Sequence, residues 1–244
     1  MPREHWEEQA QNWAGWARTP DFDAYWKYAP MFFELLPPRG ARTLEVGCGE
    51  GRVSRDLGAR GHRVIGLDTS PTLLKLAREA YPRGRYLRAD AAALPFAGES
   101  FDLVVAYNSL MDVDDMPGSV REAARVLRPG GALCACVTHP MADAGGFESR
   151  AGDAPFVIRG SYLGGRRPFE LEVERDGQRS TSRVGPTRWR TISWRWRPPA
   201  CRSRPSASRP CPEPRSRGTR ASSAGAGSPT SFSCALSSKR AYSS

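Results

Sequence analysis

Apolar and polar residues alternate along the chain in the order that an α/β sheet requires. Between residues 42 and 139, short apolar runs are followed by segments in which apolar residues recur every three or four positions. The runs predict five strands: TLEV, HRVIGLD, RYLRAD, FDLVVAYNS and ALCACVTH. Strands that alternate with amphipathic helices form parallel sheets covered on both faces. The pattern therefore predicts an α/β fold with a doubly wound, mainly parallel sheet in three layers.

Two further segments flank this core. Residues 1–40 are rich in aromatic side chains on a helix-like background, interrupted by Pro20 and Pro30, which predicts two or three short helices. We expect these helices to form a lid over the site that the core carries. After residue 140 the pattern loosens, and FVIRGSYL and PFELEVER predict two strands in a substrate-side extension. The predicted domains are thus 1–40, 41–140 and 141–177, followed by a tail at 178–244.

The tail differs from the rest of the chain in composition and charge. Its 67 residues include 13 Arg, 16 Ser and 8 Pro, but only four residues of Val, Ile, Leu and Phe together. Such a segment cannot bury a core, so we predict a disordered basic tail. Residues 1–177 carry 22 Lys or Arg against 25 Asp or Glu, whereas the tail carries 14 against 1. Any nucleic acid is therefore expected to bind only non-specifically, through the tail.

Two interpretations of the tail stay open. Its arginines, interleaved with Trp189, Trp194 and Trp196, could bind RNA through phosphate contacts and stacking. Alternatively, the tail is a frame-shifted reading of an ordinary closing segment. The first base of each tail codon becomes the middle base of a codon in the shifted frame, where thymine encodes an apolar residue. Trp189, Ser193 and Trp196 have codons that can begin with thymine, and they lie at helical spacing. On this interpretation the sheet lacks its normal C-terminal strands, and its fifth strand is an exposed apolar edge.

The sequence indicates neither membrane insertion nor a metal site. It contains no run of 18 apolar residues, and the N-terminus, MPREHWEEQAQNW, is polar where a signal peptide needs an apolar stretch. We therefore expect a cytoplasmic protein. The six cysteines show no CxxC spacing, which disfavours a disulfide framework or a zinc site. Cys134 and Cys136 share one face of a strand near His139, and core packing is the favoured interpretation.

The candidate chemistry lies where the predicted strands end, because doubly wound sheets bind ligands outside those ends. The first strand runs into residues 45–51, EVGCGEG, a turn at which a ligand can approach the backbone closely. A dinucleotide fingerprint would need glycine at position 52, where this chain has Arg52, so the spacing argues against NAD. Asp68 ends the second strand, where its carboxylate could accept hydrogen bonds from both hydroxyls of a ribose.

These motifs resemble those of the class I S-adenosylmethionine-dependent methyltransferases, of the type often called methyltransferase type 11. The matching segments are LEVGCGEG at 44–51, GLD at 66–68, RADAAALPF at 88–96, SFDLVVAYNSL at 100–110 and LRPGG at 127–131. The resemblance implies a Rossmann-like fold and S-adenosylmethionine as the cofactor. It also implies a cofactor-binding set made of Glu45, Gly47, Cys48, Gly49, Gly51, Asp68, Thr69, Asp90, Ala91, Asn108 and Ser109.

The resemblance further implies what each part of this set does. The glycine turn would approach the methionine end of the cofactor, Asp68 would hold the ribose, and Asp90 with Ala91 would bracket the adenine. Asn108 and Ser109 would close the pocket from the fourth strand. The implied reaction is in-line methyl transfer to a small-molecule acceptor, in which the protein mainly aligns and desolvates the reactants. The alternative is a catalytically inactive protein that binds cofactor, or RNA through its tail.

Several acidic residues have a second, purely structural interpretation. Asp68 could cap the following helix, and Asp90 could be a turn residue. Asp112, Asp114 and Asp115 lie just beyond the fourth strand, where substrate should enter, but they also precede a helix with Pro117 in its first turn, and capping is favoured for them. His139 ends the fifth strand and is the candidate catalytic residue, because a histidine there could accept a proton from the nucleophile.

Overall fold

The computed structural model describes residues 2–37, 41–138, 145–149, 151, 153–159, 169–184 and 233–237. Its helices are α1 (Pro2–Glu8), α2 (Ala10–Arg18), α3 (Tyr25–Glu34), α4 (Arg52–Ala59), α5 (Pro71–Ala80) and α6 (Met116–Val126). Its strands are β1 (Arg42–Val46), β2 (Arg63–Asp68), β3 (Arg85–Arg88), β4 (Phe101–Tyr107), β5 (Leu127–Thr138), β6 (Gly145–Phe147), β7 (Phe156–Ile158), β8 (Phe169–Arg175), β9 (Gln178–Val184) and β10 (Ser233–Ser237). A 3-10 turn, Leu110–Asp112, follows β4.

The central sheet has the strand order β10-β5-β4-β1-β2-β3, and every neighbouring pair is parallel. The chain runs outward from β1 through β2 to β3, and then returns to the other side of β1 for β4 and β5. Strand order therefore reverses between β1 and β4, which is where doubly wound sheets bind their ligands. The predicted Rossmann-like α/β fold is confirmed.

The core lies on both faces of this sheet because successive side chains of a strand point in opposite directions. In β4, Leu103 and Val105 pack in the cluster that contains α3 and α4 residues, whereas Val104 and Ala106 pack in the cluster that contains α6 residues. All four side chains are fully buried. The continuous apolar sequence of β4 is thus explained by burial on both sides of a central strand.

Side-chain caps begin the two helices that follow β2 and β4. Ser70 caps α5 by accepting a hydrogen bond from the Leu73 amide at 3.0 Å, so Asp68 is not the capping residue. Asp115 caps α6 by accepting from the Gly118 amide at 2.9 Å. The capping interpretation is therefore confirmed for Asp115.

The aromatic N-terminal segment forms three short helices, as its pattern predicts. Helix α3 belongs to the core: Phe32 is 1% exposed, and its ring centroid lies 4.9 Å from that of Tyr107 in β4. Helix α2 packs against β9, where Thr19 and Gln178 are hydrogen-bonded at 3.3 Å. None of the described helices is both long and apolar enough to cross a membrane.

Two segments of the predicted tail are strands. Strand β9 pairs with β8 in an antiparallel hairpin whose turn residues, Asp176 and Gly177, both have positive φ. An Asp-Gly pair is favoured in such two-residue turns, because both positions require the left-handed region. The boundary predicted at 177/178 thus falls inside this turn. The composition of residues 178–184 disfavoured a strand, but backbone pairing with β8 depends little on composition.

Strand β10 corrects the expectation that β5 is an edge strand of the sheet. It pairs with β5 from Ser233↔Cys134 to Ser237↔Thr138, so β5 is not an exposed edge. The predicted RPGG turn differs too, because residues 128–131 lie within β5 opposite Asp102, as an irregularity between the pairs Phe101↔Leu127 and Leu103↔Ala132. The residues that carry both tail interpretations, 185–232, lie outside the described part of the chain.

Candidate functional site

One pocket opens at the carboxyl ends of β1, β2 and β4, with α1 and α2 against its outer side. Ten of the eleven residues expected to bind the cofactor line it, namely Glu45, Gly47, Cys48, Gly49, Asp68, Thr69, Asp90, Ala91, Asn108 and Ser109. The eleventh, Gly51, does not line the pocket. It occupies the N-cap position of α4 with φ +81°, a left-handed backbone conformation that favours glycine.

The glycine turn brings backbone against the pocket. Gly47 has φ +70°, and a Cβ atom on it would lie 2.5 Å from the Cβ of Ser109. The amides of Gly47 and Cys48 both donate to the Leu67 carbonyl, at 2.8 and 2.9 Å. The turn is therefore fixed to the end of β2 on one side and packed against the end of β4 on the other.

Asp68 ends β2 and lines the pocket. Its Oδ2 accepts from the Gly49 amide at 2.8 Å, and its Oδ1 accepts from the Ser70 amide at 2.9 Å. Burial raises the pKa of this carboxyl, although the backbone hydrogen bonds act in the opposite direction. Each oxygen of an ionised carboxylate can accept more than one hydrogen bond, so a carboxylate in this position can also accept from a ligand.

The position of Asp90 is compatible with both of its interpretations, as a turn residue and as a cofactor-binding residue. Its Oδ1 accepts from the Ala92 amide at 2.9 Å, which is a turn contact, and the same residue lines the pocket. Ala91 beside it is 5% exposed. Ala91 also lines the pocket, to which it contributes a small apolar side chain.

The two predicted residues that follow β4, Asn108 and Ser109, differ in their hydrogen bonds. Asn108 has φ +51°, and its Oδ1 atom is buried without a hydrogen-bond partner among the described residues. A buried acceptor without a partner is costly unless a ligand supplies a donor. The Ser109 hydroxyl instead donates to the Val46 carbonyl at 2.6 Å, which joins the end of β4 to that of β1.

Glu45 lies beneath the glycine turn and is 2% exposed. The Ser54 hydroxyl donates to its carboxyl group. Burial raises the pKa of Glu45 to about 8, and the nearby charges of Asp68 and Glu50 act in the same direction. The group is therefore mainly protonated at neutral pH and acts as a neutral hydrogen-bonding support.

Fifteen of the residues that line the pocket were absent from the predicted set, among them Trp6, Trp13, Asp23, Arg52 and Tyr107. The two tryptophans lie in the consecutive helices α1 and α2 with ring centroids 5.6 Å apart, and their spacing of seven residues, about two helical turns, was a signal that they could lie side by side. Asp23 and Arg52 gave no such signal, because they are 29 positions apart and meet only in the fold. His139, the predicted catalytic residue, lies outside the described residues.

Side-chain contacts hold the N-terminal helices against the pocket. Glu7 accepts hydrogen bonds from the hydroxyls of Ser70 and Thr72, each at 2.5 Å. Burial raises the pKa of Glu7, but these hydrogen bonds outweigh it and lower the pKa overall. Arg18 forms an ion pair with Glu50 at 3.1 Å. These contacts join α1 and α2 to the loops that follow β2 and β1.

Sequence and structure comparisons place these features among known proteins. Residues 44–135 match the family described as "Methyltransferase domain". The crystal structure of an S-adenosylmethionine dependent methyltransferase from Mesorhizobium loti is similar in fold, with a TM-score of 0.50 and 30% identity. The alignment covers 61% of this chain and 68% of that one.

Curated relatives match a little less than half of this chain. A demethylmenaquinone methyltransferase from Tropheryma whipplei is 36% identical over 121 residues, which are 48% of this chain and 50% of the relative. A malonyl-[acyl-carrier protein] O-methyltransferase from Enterobacter lignolyticus is 40% identical over 106 residues, 43% of this chain and 42% of that protein. The chain thus spans about half the length of the curated relatives it matches.

Proposed function

Because this chain belongs to the class I S-adenosylmethionine-dependent methyltransferases, we propose that it transfers the methyl group of S-adenosylmethionine to a small-molecule acceptor. One observation carries the proposal: a single pocket at the sheet's switch point unites the glycine turn, Asp68, Asp90 and Asn108. Each of these features comes from a different strand end. Their convergence is what a ligand with a nucleoside and a polar chain requires.

The pocket fits the proposed cofactor feature by feature. Gly47 and Gly49 have positive φ angles and no side chains, so their backbone can be approached closely from the pocket. A Cβ atom at Gly47 would collide with Ser109. Asp68 has acceptor positions that suit two ribose hydroxyls. Asp90 and Ala91 suit an adenine ring, since one offers an acceptor and the other an apolar surface.

When bound, S-adenosylmethionine supplies both the methyl group and its leaving group, so the protein's task is alignment and exclusion of water. We propose that Trp6 and Trp13 exclude water from the outer side of the pocket, where both residues line it. Asn108 would orient a reactant through its buried, unpartnered Oδ1 atom. His139 stays a candidate for accepting the acceptor's proton, as the sequence predicts.

For the acceptor we propose a small organic molecule. The similar proteins are named for demethylmenaquinone and for malonyl-[acyl-carrier protein], which differ widely in size and polarity. We also propose that the protein works in the cytoplasm, because Cys48, Cys134 and Cys136 are buried free thiols, as is usual in reducing compartments.

Calorimetric titration with S-adenosylhomocysteine tests the cofactor site directly. We expect binding in the micromolar range, and a loss of about 100-fold or more in Asp68→Ala, which removes an ionic hydrogen-bond acceptor. Asp68→Asn, which keeps one carbonyl oxygen, should lose less. Asp153→Ala, at an exposed aspartate outside the pocket, is the matched control and should bind like the unaltered protein.

Thermal unfolding of each variant shows whether it is folded. A folded, unaltered protein that does not bind S-adenosylhomocysteine would refute the proposal for this chain. Equal binding by Asp68→Ala and the unaltered protein would show that the ribose is held elsewhere.

A further inference from the structure

The free edge of the central sheet carries a dense group of positive charges. Strand β3 pairs with β2 on one side, and no described strand pairs with its other side. Residues 75–88, which comprise the second half of α5, the following turn and β3, carry five Lys or Arg and one Glu. The other residues up to position 177 carry 17 Lys or Arg against 24 Asp or Glu. We call this group the basic edge: Lys75, Arg78, Arg83, Arg85 and Arg88, all of them exposed.

The arginines of the basic edge are held without carboxylates. Arg78 donates to the Tyr86 carbonyl at 3.0 Å, and Arg88 donates to the Thr69 carbonyl at 3.1 Å. Among the residues that the structure describes, no ion pair contains any of the four arginines. The lysine pairs only loosely with Glu79, at 3.9 Å between two largely exposed side chains. Most of the positive charge is therefore available to an anionic partner.

The basic edge extends over both faces of the sheet. Leu87 of β3 pairs with Leu67 of β2, which packs in the core cluster that contains α6 residues, so Leu87 and Arg85 lie on that face. Tyr86 lies on the other face with Ala77 of α5, and both adjoin the start of α4. The positive charges of α5 and those of β3 thus meet around the outer side of the edge strand.

Protection of the sheet against aggregation explains only part of this group. Charged residues on an edge strand discourage pairing with another chain, and Arg85 and Arg88 belong to β3. Lys75 and Arg78 belong to α5, and Arg83 belongs to the turn, so none of these three blocks strand pairing. A group of charges that continues from helix to turn to strand is better suited to an extended anion.

The side chains define the chemistry of that anion. Four of the five basic residues are arginines, whose planar guanidinium groups donate paired hydrogen bonds to phosphate. Tyr81 ends α5 in the midst of them and is 43% exposed, so its ring is available for a base to stack on. Basic groups combined with an exposed aromatic ring are typical of surfaces that bind single-stranded nucleic acid. We propose that the basic edge binds single-stranded nucleic acid through its phosphates, without sequence preference.

The shape of the surface favours a flexible strand over a lipid bilayer. The two exposed apolar side chains beside the basic edge are Tyr81, at the end of α5, and Leu87, 37% exposed on the opposite face of the sheet. A flat bilayer would receive only one of them, whereas a flexible strand can pass around β3 and contact both. No residue of the basic edge lines the cofactor pocket, so this binding goes beyond the proposed function and does not depend on it.

Fluorescence anisotropy of a labelled oligouridylate of about 12 nucleotides measures this binding. The arginine-rich tail also attracts phosphates, so the test compares full-length variants of equal net charge. We expect the double variant Arg83→Ala, Arg85→Ala to bind about 10-fold more weakly at about 50 mM salt. The slope of the logarithm of its association constant against the logarithm of salt concentration should become shallower by about 1.4, which is about 0.7 for each lost phosphate contact.

The double variant Arg121→Ala, Arg159→Ala is the matched control. Both arginines are exposed and lie outside the basic edge, in α6 and after β7. Removing them lowers the net charge equally, but the affinity should change less than about twofold and the salt slope should stay the same. Tyr81→Ala should weaken binding about fivefold without changing the slope, because stacking is not ionic, and Tyr81→Phe should bind like the unaltered protein.

The outcomes separate the basic edge from the tail and from a lipid site. Equal weakening by both double variants, or by neither, would show that the tail alone binds the oligonucleotide, and the proposal would be overturned. It would also be overturned if Arg83→Ala, Arg85→Ala lost binding to phosphatidylserine vesicles but kept binding to the oligonucleotide.

Binding of S-adenosylhomocysteine keeps this result distinct from the proposed function. The variant Arg83→Ala, Arg85→Ala should bind it like the unaltered protein, because neither residue lines the pocket. Thermal unfolding shows whether the variant is folded, and Arg83→Gln, Arg85→Gln replaces it if it is not. An unaltered protein that binds the oligonucleotide through the basic edge but not S-adenosylhomocysteine would refute the proposed function and support this proposal.

Discussion

The glycine turn and the N-terminal helices face the same pocket, but they are held there by different kinds of contact. The turn is positioned by backbone hydrogen bonds, such as those from Gly47 and Cys48 to the Leu67 carbonyl. Helices α1 and α2 are positioned by side chains, such as Glu7 on Ser70 and Arg18 on Glu50. A site built from backbone is intolerant of added volume, whereas a segment held by side chains can loosen one contact at a time.

This comparison predicts that adding one methyl group has its largest effect on stability and ligand binding in the glycine turn. Gly47→Ala places a Cβ atom 2.5 Å from Ser109 at a φ of +70°. We expect a loss of about 2–4 kcal/mol in the free energy of unfolding, with S-adenosylhomocysteine binding abolished. Urea unfolding and calorimetry measure the two effects.

Gly58→Ala is the control for that substitution. Gly58 lies in α4, and a Cβ atom there would meet nothing within 4 Å. It should raise the free energy of unfolding by about 0.5–1 kcal/mol, because alanine loses less backbone entropy in a helix. If both variants behaved alike, the turn would not be constrained as its geometry indicates.

The buried Glu45, beside the glycine turn, makes the free energy of unfolding depend on pH. Its pKa of about 8 exceeds that of an unfolded chain, so folding takes up a proton between about pH 4.5 and 8. The contribution of Glu45 to stability is therefore full below pH 4.5, declines as the pH rises through that window, and levels off above it.

Glu45→Gln removes this titration while keeping a neutral hydrogen-bonding group beside Ser54. Relative to the unaltered protein, the variant should gain about 4 kcal/mol of unfolding free energy between pH 5 and 9. Urea unfolding across that range measures the difference. A difference that does not change with pH would show that Glu45 is ionised throughout.

The smallest effect is expected on the N-terminal side. Glu7→Gln weakens the contacts with Ser70 and Thr72, and should weaken S-adenosylhomocysteine binding by only about 2–5-fold. Hydrogen exchange in α1 should become faster, with the strands of the sheet unaffected. Because the pKa of Glu7 is lowered, the same loosening should occur in the unaltered protein as the pH falls below about 4.5.

Glu8→Gln, at the exposed neighbouring residue, is the control and should change neither measurement. If Glu7→Gln abolished binding as Gly47→Ala does, the N-terminal helices would be part of the rigid site, and the distinction between the two regions would be lost.

The two regions were also unequally predictable. The strands, the glycine turn and Asp68 could be predicted because each depends on residues close in sequence, and motif spacing reports such local relations. Gly51 was assigned to the pocket by its motif; it begins α4 with φ +81°, and a Cβ atom on it would lie 2.7 Å from the Tyr86 hydroxyl. A motif shows which residues occur together but does not show which of them face a ligand.

The Asp23–Arg52 pair and the partner of β5 were beyond the reach of sequence patterns. Asp23 belongs to the segment between α2 and α3, Arg52 begins α4, and β10 lies almost 100 residues after β5. Alternating polarity predicts which face of an element is buried, but it does not specify which distant element covers that face. Composition also misled at β9, where pairing with β8 through a favourable turn outweighed side chains of low strand propensity.

The α/β class, the five core strands, the position of the glycine turn and the carboxylates at the strand ends could all be predicted from the order of residues. These follow from short-range periodicity and from backbone conformations that only certain residues adopt. Only the assembled fold showed which side chains hold α1 and α2 against the pocket, that Asn108 Oδ1 has no hydrogen-bond partner among the described residues, and that Arg52 meets Asp23. Those features depend on contacts between residues far apart in the chain, because side-chain packing is settled only when the sheet and its helices have assembled.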